Sequence, residues 1–473
     1  MKERKTVLLL WLAAIVFRAL HYWLFSNEMV VGNDQMQNIL LARRFAAGDF
    51  YGVLDVYWTP LYPILVGSAG YFTNSLTLPS IIVSILAGSL AVPLTFYLIN
   101  QSYGRREALI AAVIAVFYPH LINSVFGLGT ETVYLIWIIG ALIVGWNGLQ
   151  RNSVKDFLLT GFLLGLAYLT RREAAGYLFF FVTPILLKNL RLRKPSARSQ
   201  KQIVVLLLGF TILAAPYILY LRGTTGHWTI SGKAQTNVAA GMLQETGDAD
   251  AEVTPSGKQT GIVLVKSFAL SLIEIQKIFT FLLPSLLLLF VALGLFGERW
   301  SRERLKRESY LIFFGVLTIV GYALAVSQVR YFYILLPICF GWMARGIIQA
   351  ERWLGESIQI WSPNNLFYFA ASKKLVILSL IFIYLYALPI NFFMRSPAKI
   401  WHDNAFEERD AGLWLKANGK PSPLVFSASS RAVFYAGGEQ ISPTANEYIS
   451  QCWQNQKERF KINPHRHTSG LNT

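Results

Sequence analysis

The chain has 473 residues, of which 54% are hydrophobic and only 15% are charged. Soluble domains have about a quarter of their residues charged, so this composition excludes a large soluble core and indicates a polytopic membrane protein. The net charge of +17 does not indicate a nucleic-acid partner. Loops of membrane proteins collect lysine and arginine on the cytoplasmic side, where anionic membrane lipids attract them.

Apolar segments that approach the roughly 17–25 residues needed to cross a bilayer recur along the chain. We therefore predict an α-helical polytopic fold with about eleven membrane spans. The predicted spans are 7–25, 76–99, 108–126, 131–148, 157–170, 174–188, 202–221, 279–297, 309–327, 331–349 and 374–393. Basic residues precede the first span and no small-residue cleavage site follows it, which favours a retained anchor over a removed signal peptide.

Lysine and arginine are unevenly distributed between the two ends of these spans. Alternate loops are strongly basic, as in 188–201 and 299–307, whereas the opposite turns contain few basic residues besides arginines such as Arg171, Arg172 and Arg330. By the positive-inside rule, we expect an integral protein of the cytoplasmic (inner) membrane, with its N-terminus in the cytoplasm and its C-terminus outside. The outer arginines are exceptions that need a reason.

The predicted transmembrane domain, 1–393, contains two large outer loops. In the first, 26–75, the helical spacing of apolar residues over 36–47 predicts a helix at the membrane interface. The apolar stretch 61–73 is too short to cross the bilayer, so we expect a re-entrant or juxtamembrane helix there.

The second outer loop, 222–278, has two parts. Its first part, 222–260, is rich in glycine and threonine, and loops of such length usually have a function. Its second part, 261–278, has polar residues along one helical face, which predicts an interfacial helix that leads into the next span.

The C-terminal part, 394–473, has the composition of a soluble segment, and we expect it to form a small α/β cap outside the membrane. A helix is predicted over 404–418, where Gly419 follows as a stop signal. Short runs typical of strands follow at 424–428 and 432–436. The segment is too short to form a substantial core of its own.

One carboxylate, Asp34, follows the first span directly in the sequence Gly-Asn-Asp-Gln. Transfer of a group to a hydroxyl, amine or amide needs a base to take the proton, and a carboxylate often has this role. Asp34 is therefore the candidate catalytic residue. The structural alternative is a solvated loop aspartate or a helix N-cap, because a helical run follows.

Other candidates lie on the same, outer side of the predicted topology. Arg171, Arg172 and Arg330 have guanidinium groups that suit bidentate contact with a lipid phosphate. Glu131 at the start of a span is a candidate for contact with the substrate or acceptor. The alternatives are an ion pair with Glu173, snorkelling of the arginines to the headgroups, and an N-terminal helix-dipole role for Glu131.

Several motifs follow in order along the chain. They are Asp34 to Tyr51 with Thr59 to Pro63, Tyr118 to Thr132, Gly161 to Glu173, Arg330-Tyr331 with Leu336-Pro337, and, in the tail, Ala411 to Lys416 and Phe434 to Gly438. This set resembles the GT-C superfamily of polyprenyl-phosphate-sugar-dependent glycosyltransferases. More narrowly, it is similar to glycosyltransferase family 39, the protein-mannosyltransferase and aminoarabinose-transferase-like group. Each motif is loose by itself, and their order makes the set specific.

The resemblance implies a GT-C-like bundle and an inverting sugar transfer on the outer face of the membrane. It matches Asp34 to the catalytic acid of the family and Arg171, Arg172 and Arg330 to positions near the donor phosphate. The candidate substrate-binding residues are Glu131, Trp58, Tyr62, Tyr331 and Lys233. The donor would be a sugar on polyprenyl phosphate, with 222–260 as a lid over it, and the acceptor an extracytoplasmic protein, lipid or glycan.

Metal binding is not indicated by the residue pattern. The histidines are scattered and no cysteine–histidine cluster has zinc-ligand spacing. Cys339 lies within a span and Cys452 in the tail, so a disulfide between them is not expected. Many relatives have an acidic pair in the first loop, whereas here glutamine follows Asp34. That departure leaves a divalent metal open and makes Asp49 and Asp55 alternative second acids.

Three other readings stay open from the sequence. A flippase or transporter of lipid-linked glycans would also use spans and arginines, but it would need no base in the first loop and would favour charges inside the bundle. An O-antigen-type polymerase or ligase would also use outer arginines for a diphosphate donor. An inactive relative that acts as a scaffold is the third.

Overall fold

The computed structural model describes residues 2–25, 31–71, 73, 77–126, 129–191, 196–232, 259–325, 327–361, 405–419, 424–426 and 430–441. The chain divides into two compact units. The first contains Met1–Met29 and Gln37–Met394, and the second contains Val30–Met36 and Arg395–Thr473. Residues 233–258, which include most of the predicted lid, lie outside the described part of the chain.

The described residues up to Trp361 form α-helices and two 3-10 helices. The α-helices are α1 (Lys2–Phe25), α2 (Asn33–Ala46), α3 (Leu61–Gly70), α4 (Thr77–Ser102), α5 (Arg105–Phe117), α6 (Pro119–Phe126), α7 (Glu131–Arg151), α8 (Val154–Thr170), α9 (Tyr177–Arg191), α10 (Ala197–Thr225), α11 (Gln259–Leu282), α12 (Ser285–Phe296), α13 (Arg302–Ala323) and α14 (Leu336–Trp361). The 3-10 helices are Arg172–Gly176 and Val329–Leu335. Helices therefore form at both predicted interfacial segments, 36–47 and 261–278, and at the short apolar stretch 61–73.

Five helical segments are long and apolar enough to cross a membrane. They are Glu3–Leu24, Thr77–Ser102, Glu131–Arg151, Ala197–Thr225 and Val329–Leu354. Two bent pairs also qualify when each is taken together, Arg105–Phe117 with Pro119–Val125, bent by 51°, and Phe268–Leu282 with Ser285–Phe296, bent by 97°. The described residues thus contain five to seven candidate spans, and the predicted number of about eleven is not confirmed.

The remaining predicted spans differ from these for identifiable reasons. Helices α8 and α9 have 17 and 15 residues, which is short for a bilayer about 30 Å thick. Helix α13 begins with the charged sequence Arg-Glu-Arg-Leu-Lys-Arg-Glu, so its apolar part is shorter than the helix. The last predicted span, 374–393, lies outside the described residues.

The bend between α5 and α6 is stabilised by an arginine that the sequence analysis did not single out. Pro119 has no N–H to donate to the carbonyl of Ala115, and Tyr118 before it is extended, so the helix breaks there. Arg18 of α1, with no exposed surface, donates through Nη2 to that carbonyl at 3.3 Å. Its Nη1 donates to the carbonyl of Ala14 at 3.4 Å. A buried guanidinium thus replaces a hydrogen bond that proline removes.

Small residues allow two helix pairs to approach closely. On α8, a methyl group added at Gly161 would overlap the carbonyl oxygen of Leu206 on α10, and one at Gly165 would lie 2.8 Å from Cβ of Leu213. Helices α12 and α14 meet in the same way, since a methyl group at Gly294 would overlap a carbonyl of α14. Such glycine contacts are typical of helix packing inside membranes.

The second unit contains α15 (Ala405–Asn418), β1 (Leu424–Phe426), α16 (Ser430–Ala436) and β2 (Glu439–Ile441). The two strands are parallel, with Leu424 opposite Glu439. The helix predicted over 404–418 is confirmed, and the first strand-like run begins where β1 begins. The second run, 432–436, is wrong as a strand. These residues belong to α16, whose Val433 and Phe434 are buried as a helical face.

Candidate active site

The connection between α8 and α9 carries the two adjacent arginines. Helix α8 ends at Thr170 because Arg171 has an extended backbone, with φ −151° and ψ 125°. The chain then enters the 3-10 helix Arg172–Gly176. Arg171 is thus extended and Arg172 is helical, and the guanidinium groups of these two neighbours have different partners.

Arg171 is held by two carboxylates. Its Nη1 lies 3.0 Å from Oε1 of Glu131, and its Nη2 lies 2.9 Å from Oε1 of Glu173. The guanidinium also lies over the ring of Tyr331, 4.6 Å from the centroid, and its side chain is only 11% exposed. The ion pair with Glu173, an alternative left open by the sequence, is therefore present, with Glu131 as a second partner.

Electrostatics keeps this group charged. Burial by itself would lower the pKa of Arg171, but the carboxylates of Glu173 and Glu131 raise it above its ordinary value. Burial would conversely raise the pKa of Glu173, and the charge of Arg171 outweighs that effect and lowers it. Arg171, Glu131 and Glu173 are therefore mutually stabilised charges, of which Arg171 and Glu131 are the more deeply buried.

Arg330 shares one of these carboxylates. Its Nε lies 3.5 Å from Oε1 of Glu131 and donates to Oε1 of Gln328 at 2.8 Å. Its side chain is 31% exposed, more than that of Arg171. Glu131 is the first residue of α7 and is buried, so its carboxylate bridges two arginines at a helix N-terminus. The structure thus brings Glu131, Arg171, Arg330 and Tyr331 together.

Arg172 has neutral partners instead. Its Nη1 donates to Oγ of Ser231 at 2.8 Å, and its Nη2 donates to the backbone carbonyl of Tyr57. Among the residues that the structure describes, Arg172 forms no ion pair with a carboxylate. The described ion pairs of Arg171 and Arg330 are with Glu131 and Glu173.

Several hydrogen bonds hold the segment 54–59 against the helices beside Arg172. The hydroxyls of Tyr217 and Tyr220 on α10 donate to the carbonyls of Asp55 and Leu54 at 2.8 and 2.9 Å. The hydroxyl of Thr59 donates to the carbonyl of Thr170, at the end of α8, at 2.6 Å. The segment 54–59 is thus packed against α10 and the arginine-bearing connection.

The two alternative acids of the first loop have local structural roles. Asp55 accepts hydrogen bonds from the backbone N–H groups of Tyr57 and Trp58 at 2.6 and 2.8 Å, and Asp49 accepts one from Gly52 at 2.7 Å. Both are aspartate turns that fix the loop backbone. Each carboxylate therefore has a role that does not require chemistry.

The other predicted residues are found in varied surroundings. Tyr62 is fully buried, its hydroxyl lies 3.4 Å from Oγ of Ser84, and burial raises its pKa. Trp58 is half-buried within the packed loop. Asp34 lies in the first turn of α2, is half-buried, and belongs to the second unit. Lys233 lies outside the described residues. Within the described ranges, no group of three or more potential ligand side chains could hold a metal.

Comparison with known structures defines the class of the fold. The chain is similar to the archaeal oligosaccharyltransferase AglB from Archaeoglobus fulgidus, solved with an inhibitory peptide and a dolichol-phosphate, with a TM-score of 0.57 and 16% identity. It is also similar to ArnT from Cupriavidus metallidurans, solved with undecaprenyl phosphate, with a TM-score of 0.55 and 12% identity over 95% of this chain and 87% of ArnT. The chain therefore shares the fold of these two proteins.

The sequence comparison is narrower. Residues 60–220 match the model of the family described as dolichyl-phosphate-mannose-protein mannosyltransferase. The resemblance to GT-C enzymes that the sequence indicates is therefore confirmed. No curated protein matches the sequence. The match to AglB covers 93% of this chain but 64% of AglB, so this chain spans less than two thirds of the archaeal enzyme.

Proposed function

We propose that this protein is a membrane glycosyltransferase that moves a sugar from a polyprenyl-phosphate carrier to an acceptor on the extracytoplasmic face. The observation that carries the proposal is the cluster of Arg171, Arg172 and Arg330, in which the described hydrogen bonds of Arg172 go to neutral groups of Ser231 and Tyr57. Two of these arginines lie within the matched family segment. The complexes of AglB with dolichol-phosphate and of ArnT with undecaprenyl phosphate support a lipid phosphate as the bound group.

The three arginines have different proposed roles toward that phosphate. Arg172 donates to neutral partners, Ser231 and Tyr57, and Arg330 is the more exposed of the two described arginines that contact Glu131. Both would contact the phosphate oxygens. Arg171 is held by Glu131 and Glu173 and would stabilise the phosphate from behind by its charge. Fixed guanidinium groups stabilise a leaving phosphate most where its negative charge develops.

Asp34 is the proposed base. It would take the proton of the acceptor hydroxyl, amine or amide while that atom attacks the anomeric carbon. The bond between the anomeric carbon and the phosphate oxygen breaks, and the lipid phosphate leaves with the bonding electrons. Direct attack of this kind inverts the anomeric configuration. The resemblance to GT-C enzymes supports this role for Asp34.

Glu131, Tyr331, Trp58, Tyr62 and Lys233 are proposed to contribute to substrate binding. For Tyr62 the contribution would be indirect, because its side chain is buried. The acceptor would be a protein, a lipid or a glycan. We also propose the inner membrane as the location, with the N-terminus inside. Labelling of single cysteines placed at Lys5 and Gly52 would test this orientation, since only the second should react from outside.

The test is sugar transfer in membranes supplied with a panel of labelled polyprenyl-phosphate sugars. Wild-type protein should consume one donor and release lipid phosphate in equal amount, and Asp34→Asn should lose transfer while it still binds the donor. Asp49→Asn is the matched control, because it removes a carboxylate of the same loop that has a turn-forming role. Movement of intact donor across the membrane without transfer would instead establish the transporter.

A further inference from the structure

The second unit contains a short stretch from near the N-terminus, Val30–Met36, that includes Asp34. Val31 in this stretch is buried, and both of its backbone polar groups are bonded by side chains of α16. Its N–H donates to the hydroxyl of Tyr435 at 3.0 Å, and its carbonyl accepts from Nε of Arg431 at 3.1 Å. Val31 and Tyr435 are 404 residues apart in the sequence.

Arg431 is itself held in place. Its Nη1 lies 2.6 Å from Oε2 of Glu408 in the first turn of α15, and the two side chains are 13% and 26% exposed. A charge-assisted hydrogen bond of this kind is shorter and stronger than one between neutral groups. The guanidinium therefore has one edge fixed by a carboxylate and Nε directed at the backbone of Val31.

The two helices that carry these side chains pack closely. A methyl group at Gly412 of α15 would overlap the carbonyl oxygen of Ala432 and would lie 2.7 Å from Cβ of Tyr435 on α16. Ala432, Val433 and Phe434 are buried in this contact region. Tyr435 and Arg431 thus extend from a rigid helix pair, and the pair provides a fixed frame for Val31.

This frame lies directly before the proposed base. Helix α2 begins at Asn33, two residues after Val31, and its first turn is closed by the hydrogen bond from the N–H of Met36 to the carbonyl of Gly32 at 3.0 Å. Asp34 lies in that turn. A shift of the backbone at Val31 would therefore move the carboxylate of Asp34, because few rotatable bonds separate them.

We infer that the C-terminal segment is a positioning device for Asp34, in which Tyr435 and Arg431, oriented by Glu408, hold the backbone at Val31. The inference rests on the proposed function, because it assigns Asp34 as the base. Tyr435 and Arg431 are positioning residues and do not contact the substrate. A cap of this kind acts on the reaction without capturing the acceptor.

The experiment compares Tyr435→Phe and Arg431→Met in the full-length protein. Tyr435→Phe removes only the hydroxyl that accepts from Val31, whereas Arg431→Met removes the guanidinium and with it also the ion pair to Glu408. Hydrogen exchange of the peptide containing residues 31–36 should become about two- to tenfold faster, and kcat should fall about ten- to a hundredfold with the donor KM unchanged. Lys416→Met, an exposed change on α15, is the matched control and should alter neither.

Donor affinity separates positioning from a general loss of structure. If Tyr435 acts by positioning Asp34, then Tyr435→Phe should bind the donor as tightly as the wild type while its kcat falls. Unchanged hydrogen exchange at residues 31–36 would show that Tyr435 and Arg431 do not hold the backbone at Val31. Faster exchange with an unchanged kcat would show that holding this backbone does not position Asp34. Full turnover of Asp34→Asn alone would instead show that Asp34 is not the base. Hydrogen exchange would still test whether Tyr435 and Arg431 hold the backbone at Val31.

Discussion

Arg171 and Arg172 are neighbours with the same side chain, yet the fold assigns them different electrostatic environments. Arg171 is buried between Glu131 and Glu173, whereas Arg172 donates to a hydroxyl and a carbonyl. Buried charges are costly unless they are paired, so loss of a partner should destabilise the fold at Arg171, and we propose that the charge of Arg172 serves a ligand. Substitution by glutamine separates these two roles.

Arg172→Gln should weaken binding of the donor and leave the fold intact. Glutamine keeps amide donors for Ser231 and Tyr57 but removes the charge. Hydrogen bonds to charged groups contribute about 1.5–3 kcal/mol, so we expect the donor KM to rise about ten- to a hundredfold. Steady-state kinetics with the preferred polyprenyl-phosphate sugar measures this. A normal KM would remove Arg172 from the phosphate site.

Arg171→Gln should mainly destabilise the protein. It leaves Glu131 and Glu173 without their shared cation, and loss of one partner of a buried ion pair costs about 3–5 kcal/mol. Thermal unfolding of the purified protein in detergent should show a lower midpoint than wild type or Arg172→Gln. Arg171→Gln combined with Glu173→Gln should recover part of the loss. A normal midpoint would contradict the pairing.

The same pair predicts a dependence on pH. The pKa of Glu173 is lowered from its ordinary value of 4.5, because the effect of Arg171 outweighs that of burial. A lowered pKa contributes stability above the unfolded value, and that stability is lost as the pH falls through the folded value. The difference in stability between wild type and Glu173→Gln should therefore shrink below about pH 4.5. A difference that grows in acid would contradict this sign.

The residue types of this cluster are predictable from the sequence, and their partners are not. Arginines at the outer ends of predicted spans break the positive-inside pattern and so need anions. Glu173 is only two residues from Arg171, so the sequence itself indicates an ion pair between them as an alternative to phosphate binding. The carboxylate of Glu131 and the ring of Tyr331 meet Arg171 only through the packing of α7 and the 3-10 helix Val329–Leu335.

At the scale of elements, the contact between α8 and α10 depends on glycine. Gly161→Ala should destabilise the protein by about 1–3 kcal/mol, because the new methyl group overlaps the carbonyl of Leu206 in a packed interface. Gly315→Ala on α13 is the matched control, since that glycine faces open space. Alanine there should be neutral or stabilise the helix by up to about 1 kcal/mol.

Thermal unfolding of these two variants in detergent measures the contrast. Equal midpoints for Gly161→Ala and Gly315→Ala would mean that α8 and α10 do not need their close approach. The direction matters, because helix propensity alone favours alanine at both positions. Only the packing of α8 against α10 predicts opposite signs.

Element boundaries show where sequence patterns are sufficient. The helix at 404–418 has a clear stop signal, and it forms. The run 432–436 has only five residues, which are too few to distinguish a strand from a helix. In the structure these residues form part of α16, which packs against Gly412 of α15. Pro119 within 108–126 marks the break between α5 and α6. Arg18, which donates to the carbonyl of Ala115 at this break, lies 97 residues away in the sequence. Such pairings need the tertiary structure.

At the scale of the whole molecule, the sequence separates an apolar part from a soluble tail near residue 394, and the first unit of the structure extends to Met394. The sequence contains no signal that assigns Val30–Met36 to the second unit. Within that unit, two hydrogen bonds join Val31 to Tyr435 and Arg431, which are distant in the sequence. Contacts of this kind leave no periodic pattern in the sequence, since they need only one residue at each position.

The central claim is that Asp34 enables transfer of a sugar from a lipid phosphate. The most direct measurement is a single turnover of purified protein in liposomes, with donor labelled in both the sugar and the lipid. We predict that wild type converts the donor to glycosylated acceptor and polyprenyl phosphate in equal amounts, and that Asp34→Asn binds the donor but does not convert it. Conversion of the donor by Asp34→Asn at the wild-type rate would contradict the role of Asp34. If the wild type leaves the donor intact with every sugar and acceptor class, the proposed sugar transfer is contradicted.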